Sequence, residues 1–224
     1  MNEIGHGEQY IGRGIYGISE AARLLRRPRA QVARWANGYT YERTHDMGKI
    51  APVLQTDRGD KRAITFHELI ELFFVREYTN VGIRFGHIRD TATAMAAEYG
   101  PFPFATKKLL TDGRRLVAVS EKGLISPATC QLIADFAHEF VHEVTFEDDF
   151  VRLWMPKEGD RAVVVDPTRA FGEPILAVTG TPTRAIYRAY LREQDFGRVA
   201  AWYDISDLLV KVAVEFESRF SNAA

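Results

Sequence analysis

Cysteine is almost missing from this chain. Its 224 residues hold one, Cys130, which excludes an internal disulfide framework and fits a reducing compartment. Long apolar runs are missing as well. The nearest, LIELFFV, is short and broken by Glu71, whereas a membrane-spanning helix needs about 20 apolar residues. The opening MNEIGHGEQY has neither the basic nor the apolar block of a signal peptide, so a cytoplasmic protein is expected. No repeat, low-complexity tract, Walker-A loop or dinucleotide fingerprint occurs. GRGIYG is glycine-rich, but it follows no clear strand and lacks the Lys-Ser/Thr of a phosphate loop. No cofactor is implied. What is present, 46% hydrophobic and 26% charged residues, is ordinary for a globular protein of one large domain or two small ones.

Net charge is nearly absent too, at −1, but it is unevenly spread. Residues 23–34 carry five arginines (Arg23, Arg26, Arg27, Arg29, Arg34) and no acid. Residues 135–149 carry six acids (Asp135, Glu139, Glu143, Glu147, Asp148, Asp149) and no Lys or Arg. Such asymmetry suggests that the basic stretch meets an anion, while the acidic one faces water or a basic partner. The plainer reading of each is a solvated surface.

GISEAARLLRRPRAQVARWANGYTY holds two short helical patterns around a break. Ser19 is a suitable N-cap, and Ala21, Ala22, Leu24 and Leu25 form an apolar stripe. Pro28 ends the first helix and suits the start of a second, which Gly38 stops after Asn37. The spacing predicts a helix-turn-helix. THDMGKIAPVLQTDRGDKRAITF then suggests a strand-turn-strand wing. TFHELIELFFVREYTNVG predicts a helix with a Thr65–Glu68 capping box, in which His67 is a first-turn surface residue. IRFGHIRDTATAMAAEYG predicts another, stopped by Gly100. PFPFATKKLLTDGRRLVAVS suggests a hairpin turning at Asp112-Gly113. A helix from Cys130 to Val144, strands in FVRLWMP and RAVVVDP, and three helices after Pro182 follow. Asp195 and Ser206 are placed to cap the last two.

HEFVHE, residues 138–143, contains H-E-x-x-H. That spacing puts His138 and His142 on one helix face to hold zinc, with Glu139 as general base of a metallopeptidase. At about 100° per residue, however, both histidines fall opposite the apolar side formed by Leu132, Ile133, Phe136, Phe140 and Val144. They stand among Gln131 and Asp135, the polar company of an amphipathic surface helix. Thr145 occupies the position of the glycine in the extended motif, and no third ligand is singled out.

On the second arginine-rich helix, Val32, Trp35 and Ala36 share an inner side. Arg34 and Asn37 point away and are the candidates for base edges, since Arg reads guanine and Asn reads adenine by paired hydrogen bonds. Gln31 lies to one side of them. Arg26, Arg27 and Arg29 in and beside the turn are candidates for phosphates. Ala30 and Ala33 permit close approach to a groove. Near the C-terminus, Arg184, Arg188 and Arg192 recur at i, i+4 and i+8 as one basic stripe, suited to a phosphate backbone or an acidic partner, or simply to water. The last helix, with Asp207, Glu215 and Glu217 against Lys211, is poorly suited to a groove.

Three stretches together resemble a known family: ITFHELIELFFVREYTNVGIRFGHIRDTA, FPFATKKLLTDGRRLVAV, and VVVDPTRAFGEPILAVTGTPTRAIYRAYLREQDFGRVAAWYDISDLLVKVAVEFE. In order, they are similar to segments of VapB-type antitoxins of one branch, from about Ile15 to Phe216. The most specific pieces are TDGRRL and DP…FGEPI…GTPT with its three-helix tail. The commoner form of that tail reads G-T-R-I-P where this chain has VTGTPT, Val178 to Thr183. The resemblance implies an α+β, mainly α fold. A MerR-like winged helix-turn-helix DNA-binding domain with hairpin would occupy residues 1–120, a connecting helix and strand 121–158, and a C-terminal helical antitoxin-like domain 159–224. It further implies a non-enzymatic, cofactor-free homodimer that neutralises a PIN-like ribonuclease toxin and represses its own operon by binding double-stranded operator DNA. Two alternatives stand beside it: a MerR-like regulator with no toxin, and the zinc peptidase.

Overall fold

The computed structural model describes residues 14–43, 46–57, 59–107, 131–133, 135 and 141–221. The fold mixes helices with several small sheets. The chain forms two units: residues 1–142 with 146–151, and residues 143–145 with 152–224.

The first described element of this unit is a strand that the glycines had concealed. β1, Gly14–Gly17, pairs antiparallel with β4, Ala63–Thr65, through Tyr16↔Ile64. Both of those side chains are buried. Helix α1 covers Ile18–Leu25 and starts from extended Gly17, without a side-chain cap. Ser19, expected as the N-cap, lies one position inside the helix. The strand delivers the chain in extended form up to Gly17, so that residue takes the capping position. Arg26 closes α1 in the left-handed region (φ 49°), and Pro28 then caps α2, Arg29–Asn37.

Gly38 ends α2 with φ 67°, and a Cβ there would collide with the Ile50 carbonyl, so glycine is required twice over. Past it, β2, Tyr39–Arg43, pairs antiparallel with β3, Asp46–Ile50. The wing is therefore displaced from its expected place. It begins immediately after α2, ahead of the stretch 44–66 expected to form it, and Ala63–Thr65 within that stretch pairs with β1 instead.

Helix α3, Phe66–Asn80, begins with the expected capping box: Thr65 N donates to Glu68 Oε2 at 2.9 Å and Glu68 N to Thr65 Oγ1 at 3.2 Å. Every residue from Phe66 to Val75 is buried. His67 is thus not a surface residue. It is 2% exposed, and its ring lies 5.2 Å from that of Phe102 and 5.5 Å from that of Phe150. Burial lowers its pKa to about 4, only partly offset by the Val151 backbone. One turn on, Glu71 Oε1 accepts the Phe104 and Ala105 N–H groups at 2.7 and 2.6 Å. Complete burial still raises its carboxyl to about 8, against those two bonds. The pair secures residues 102–105 on α3. Helix α4, Phe85–Tyr99, ends at Gly100 as predicted. The hairpin expected over 101–120 lies from residue 108 onward outside the described residues.

Val144, expected on the apolar side of a long helix, instead opens a strand: Val141–Glu143 form a short 3-10 turn and β5 follows, Val144–Glu147. With β6 (Phe150–Trp154), β7 (Val163–Val165) and β8 (Pro174–Leu176) it makes a sheet of order β5-β6-β7-β8. The predicted strands pair antiparallel at Trp154↔Val165, and β7 pairs antiparallel with β8. Three helices follow: α5 (Thr183–Glu193), α6 (Phe196–Tyr203) and α7 (Asp207–Ser221). Asp195 caps α6 by accepting Arg198 N at 3.0 Å, and Ser206 Oγ accepts Leu209 N at 3.4 Å. Val163, Leu176, Ile186, Val199, Val210, Ala213 and Phe216 join sheet and helices in one core.

Candidate nucleic-acid interface

Helix α2 is seated by its inner face. Val32, Trp35 and Ala36 are all buried. The Trp35 indole stacks on Phe85 at the start of α4, with centroids 6.1 Å apart and planes 16° apart, and Val53 N donates to the Trp35 carbonyl at 2.9 Å. This places Trp35 in the core, as its spacing had indicated. Arg29, Ala30 and Arg34 are exposed on the other side, with Gln31, Ala33 and Asn37 half-buried around them.

The candidate residues differ in how they are held. Arg29 Nε donates to Ser19 Oγ at 3.1 Å, tying α2 back to α1. Arg27 is half-buried and bonds Asn80 at the end of α3 through Nη2, while its buried Nε has no hydrogen-bond partner among the described residues. Arg26 occupies the left-handed cap and is half-buried. The Arg34 guanidinium lies over the Tyr39 ring, 5.6 Å from its centroid. Asn37 Nδ2 donates to the Lys61 carbonyl at 3.1 Å, so the amide proposed for adenine is partly engaged in joining α2 to the strand entry before β4.

Sequence reasoning missed the wing residues beside this face. Tyr39, Met47 and Lys49 are exposed on the β2–β3 hairpin, Met47 by 78%. The alternation Tyr39-Thr40-Tyr41 directly after Gly38 was the available signal. In the second unit, Arg184, Arg188 and Arg192 are exposed on α5 and make no hydrogen bond or ion pair among the described residues. Of the H-E-x-x-H residues, His138 and Glu139 lie outside the described residues, and His142 is exposed in the 3-10 turn. Among the described residues no three His, Cys, Asp or Glu side chains gather in a metal-holding group, and no helix is long and apolar enough to cross a membrane.

No family model matches the chain. It is 24% identical over 212 residues to the protein named "Putative antitoxin VapB45" of Mycobacterium tuberculosis, covering 86% of this chain and 89% of that one. Its fold is that of the crystal structure of Rv2018 from Mycobacterium tuberculosis: the TM-score is 0.72 at 21% identity, over 90% of this chain and 98% of the other. At 90% of the chain, the likeness takes in parts of both units.

Proposed function

We propose that this protein is a VapB-type antitoxin that neutralises a PIN-like ribonuclease toxin and represses its own operon as a homodimer on operator DNA. The observation that carries the DNA-binding part is the seating of α2. Val32, Trp35 and Ala36 fix its inner face, and an acid-free outer face presents Arg29 and Arg34 with small alanines between them. A helix of this kind beside a two-stranded wing is built to enter a major groove. The antitoxin part is supported by near full-length similarity to a protein so named and by the resemblance in the sequence itself.

In this reading Arg34 reads a base edge, Asn37 and Gln31 assist, and Arg26, Arg27 and Arg29 set the turn against phosphates. Arg184, Arg188 and Arg192 contact the toxin or the DNA backbone. The protein needs no cofactor, catalyses nothing and acts in the cytoplasm. The test is titration of its own upstream DNA against excess random duplex at two salt concentrations, with and without the product of the neighbouring gene, assayed as a ribonuclease. Specific, salt-sensitive binding together with inhibition of the ribonuclease is the expected result. Specific binding without any such toxin points to a regulator alone, and neither activity overturns the proposal.

A further inference from the structure

Two turns of the second unit carry its most exposed apolar side chains, Phe171 at 92% and Val178 at 81%. The first turn is strained. Ala170 (φ 47°), Phe171 (φ 55°) and Gly172 (φ 81°) are three successive residues in the left-handed region, and only the last is a glycine. Strain of this kind persists where surrounding structure imposes it, and it gathers at binding sites.

Here the imposing structure is visible. Asp166 is buried, and its Oδ1 accepts from Arg152 Nη1 at 2.6 Å, Thr168 N at 2.8 Å and Thr168 Oγ1 at 2.6 Å. Arg152 Nη2 also donates to Thr168 Oγ1 at 3.0 Å. Gly172 N and Glu173 N then close the turn onto the Arg169 and Ala170 carbonyls at 2.9 and 3.0 Å. This framework clamps the turn at its base and leaves the Phe171 ring in solvent. Arg169 bridges to the second turn: a Cβ on Gly180 would lie 2.5 Å from its Nη2. The exposed guanidinium therefore stands between the stretches bearing Phe171 and Val178. Residues 167–172 and 177–181 contain no acid.

We infer that this strained turn is the anchor by which the protein grips its toxin, Phe171 entering an apolar pocket of the ribonuclease and Arg169 pairing with a carboxylate at the pocket rim. The inference rests on the antitoxin reading and names the surface that serves it. A rigid, presented aromatic beside one arginine is the composition of a protein–protein hot spot. A single cation across both turns is too little to hold a phosphate backbone. A second copy meeting this surface about a two-fold axis would set Arg169 toward its own equivalent, with half-buried Glu173 at the turn's end as the one acid near enough to receive it.

Phe171→Gly separates anchoring from folding, because glycine accepts the left-handed backbone and removes only the exposed ring. The wild type, Phe171→Gly and Arg169→Ala are titrated calorimetrically with the purified product of the gene next to its own, tested as the toxin. Thermal melting, sedimentation and operator binding are recorded for each. Phe171→Gly is expected to keep or raise the melting temperature, leave operator affinity unchanged and weaken toxin binding at least about thirtyfold. Arg169→Ala is expected to weaken toxin binding about tenfold. Unchanged toxin affinity in Phe171→Gly overturns the anchor alone. So does a shift toward monomer with toxin affinity intact, which would assign the turn to a second copy, or a loss confined to DNA. A wild-type protein that binds no toxin overturns the antitoxin reading and the anchor with it.

Discussion

Helices α2 and α5 each carry more than one exposed arginine, and they carry them differently. On α2, Arg29 is bonded to Ser19 and Arg34 lies over Tyr39, so the side chains are partly ordered before anything binds. On α5, Arg184, Arg188 and Arg192 point into solvent with no ion pair or hydrogen bond among the described residues. An ordered guanidinium loses less freedom on meeting a base edge and fixes its geometry, whereas an unheld one contributes charge with little direction. Under the proposed function, the contrast would give selectivity to α2 and attraction to α5.

The comparison breaks most completely if α2 loses its seat. Trp35→Ala removes the indole stacked on Phe85 and is expected to cost roughly 3–5 kcal/mol in the first unit, followed by denaturant melting, with operator binding lost alongside. An unchanged transition would show that α2 is held by something else. Arg34→Ala keeps the seat and tests the reader: it is expected to cost about 1–3 kcal/mol of operator binding and to relax preference at one base pair. Equal weakening on every sequence would reduce Arg34 to a phosphate contact.

The pH dependence of the first unit probes the helix beneath. Glu71 stays protonated in the folded state up to about 8 while its unfolded counterpart ionises near 4.5, so stability is lost as pH rises between those values. His67 works the other way: neutral when folded down to about 4, it loses stability as pH falls below 6.5. Between 4.5 and 6.5 the two slopes oppose and largely cancel. Above 6.5 only Glu71 remains, and the first unit should lose roughly 2 kcal/mol by pH 8. Glu71→Gln, which still accepts the Phe104 and Ala105 N–H groups, should flatten that decline; a persistent slope would trace it to another group. In the second unit, Asp166 behaves oppositely. Burial favours its protonated form, but the hydrogen bonds from Arg152 and Thr168 overcome this and hold its carboxyl below the usual range, so its contribution fades only in acid. The smallest effect belongs to α5, where Arg188→Ala should change stability by no more than about 0.5 kcal/mol. It should lower the salt dependence of binding by about one unit if the stripe meets phosphate. A stability loss of several kcal/mol would show that the stripe is structural.

The elements legible in the sequence were those whose signals are local. Pro28 and Gly38 bracket α2, Thr65 and Glu68 lie one turn apart, and Asp195 sits three residues before the N–H it caps. The seat of α2 was readable for the same reason, since Val32, Trp35 and Ala36 declare a shared face by spacing alone. What escaped depends on partners far along the chain. β1 is four residues whose strand character comes from pairing with Ala63–Thr65. His67 is buried by Phe102 and Phe150, and nothing within its own helical turn indicates that. The held state of Arg29 and Arg34 depends on Ser19 and Tyr39, whose nearness to them emerges only from the way α2 packs. The turn that bears Phe171 follows on a bond between Arg152 and Asp166, fourteen residues apart.

The contact of His67 with Phe150 also has a consequence in time. The first unit is not a simple N-terminal block, for it includes residues 146–151, with Thr106 bridged to Phe150 and Lys107 N bonded to the Asp149 carbonyl. A ribosome that has made α1 to α4 has therefore not yet made everything their unit requires. The arginine-bearing helix can be translated early, but its scaffold closes only after Phe150 has emerged, so a nascent chain stalled before that residue displays α2 without its finished support.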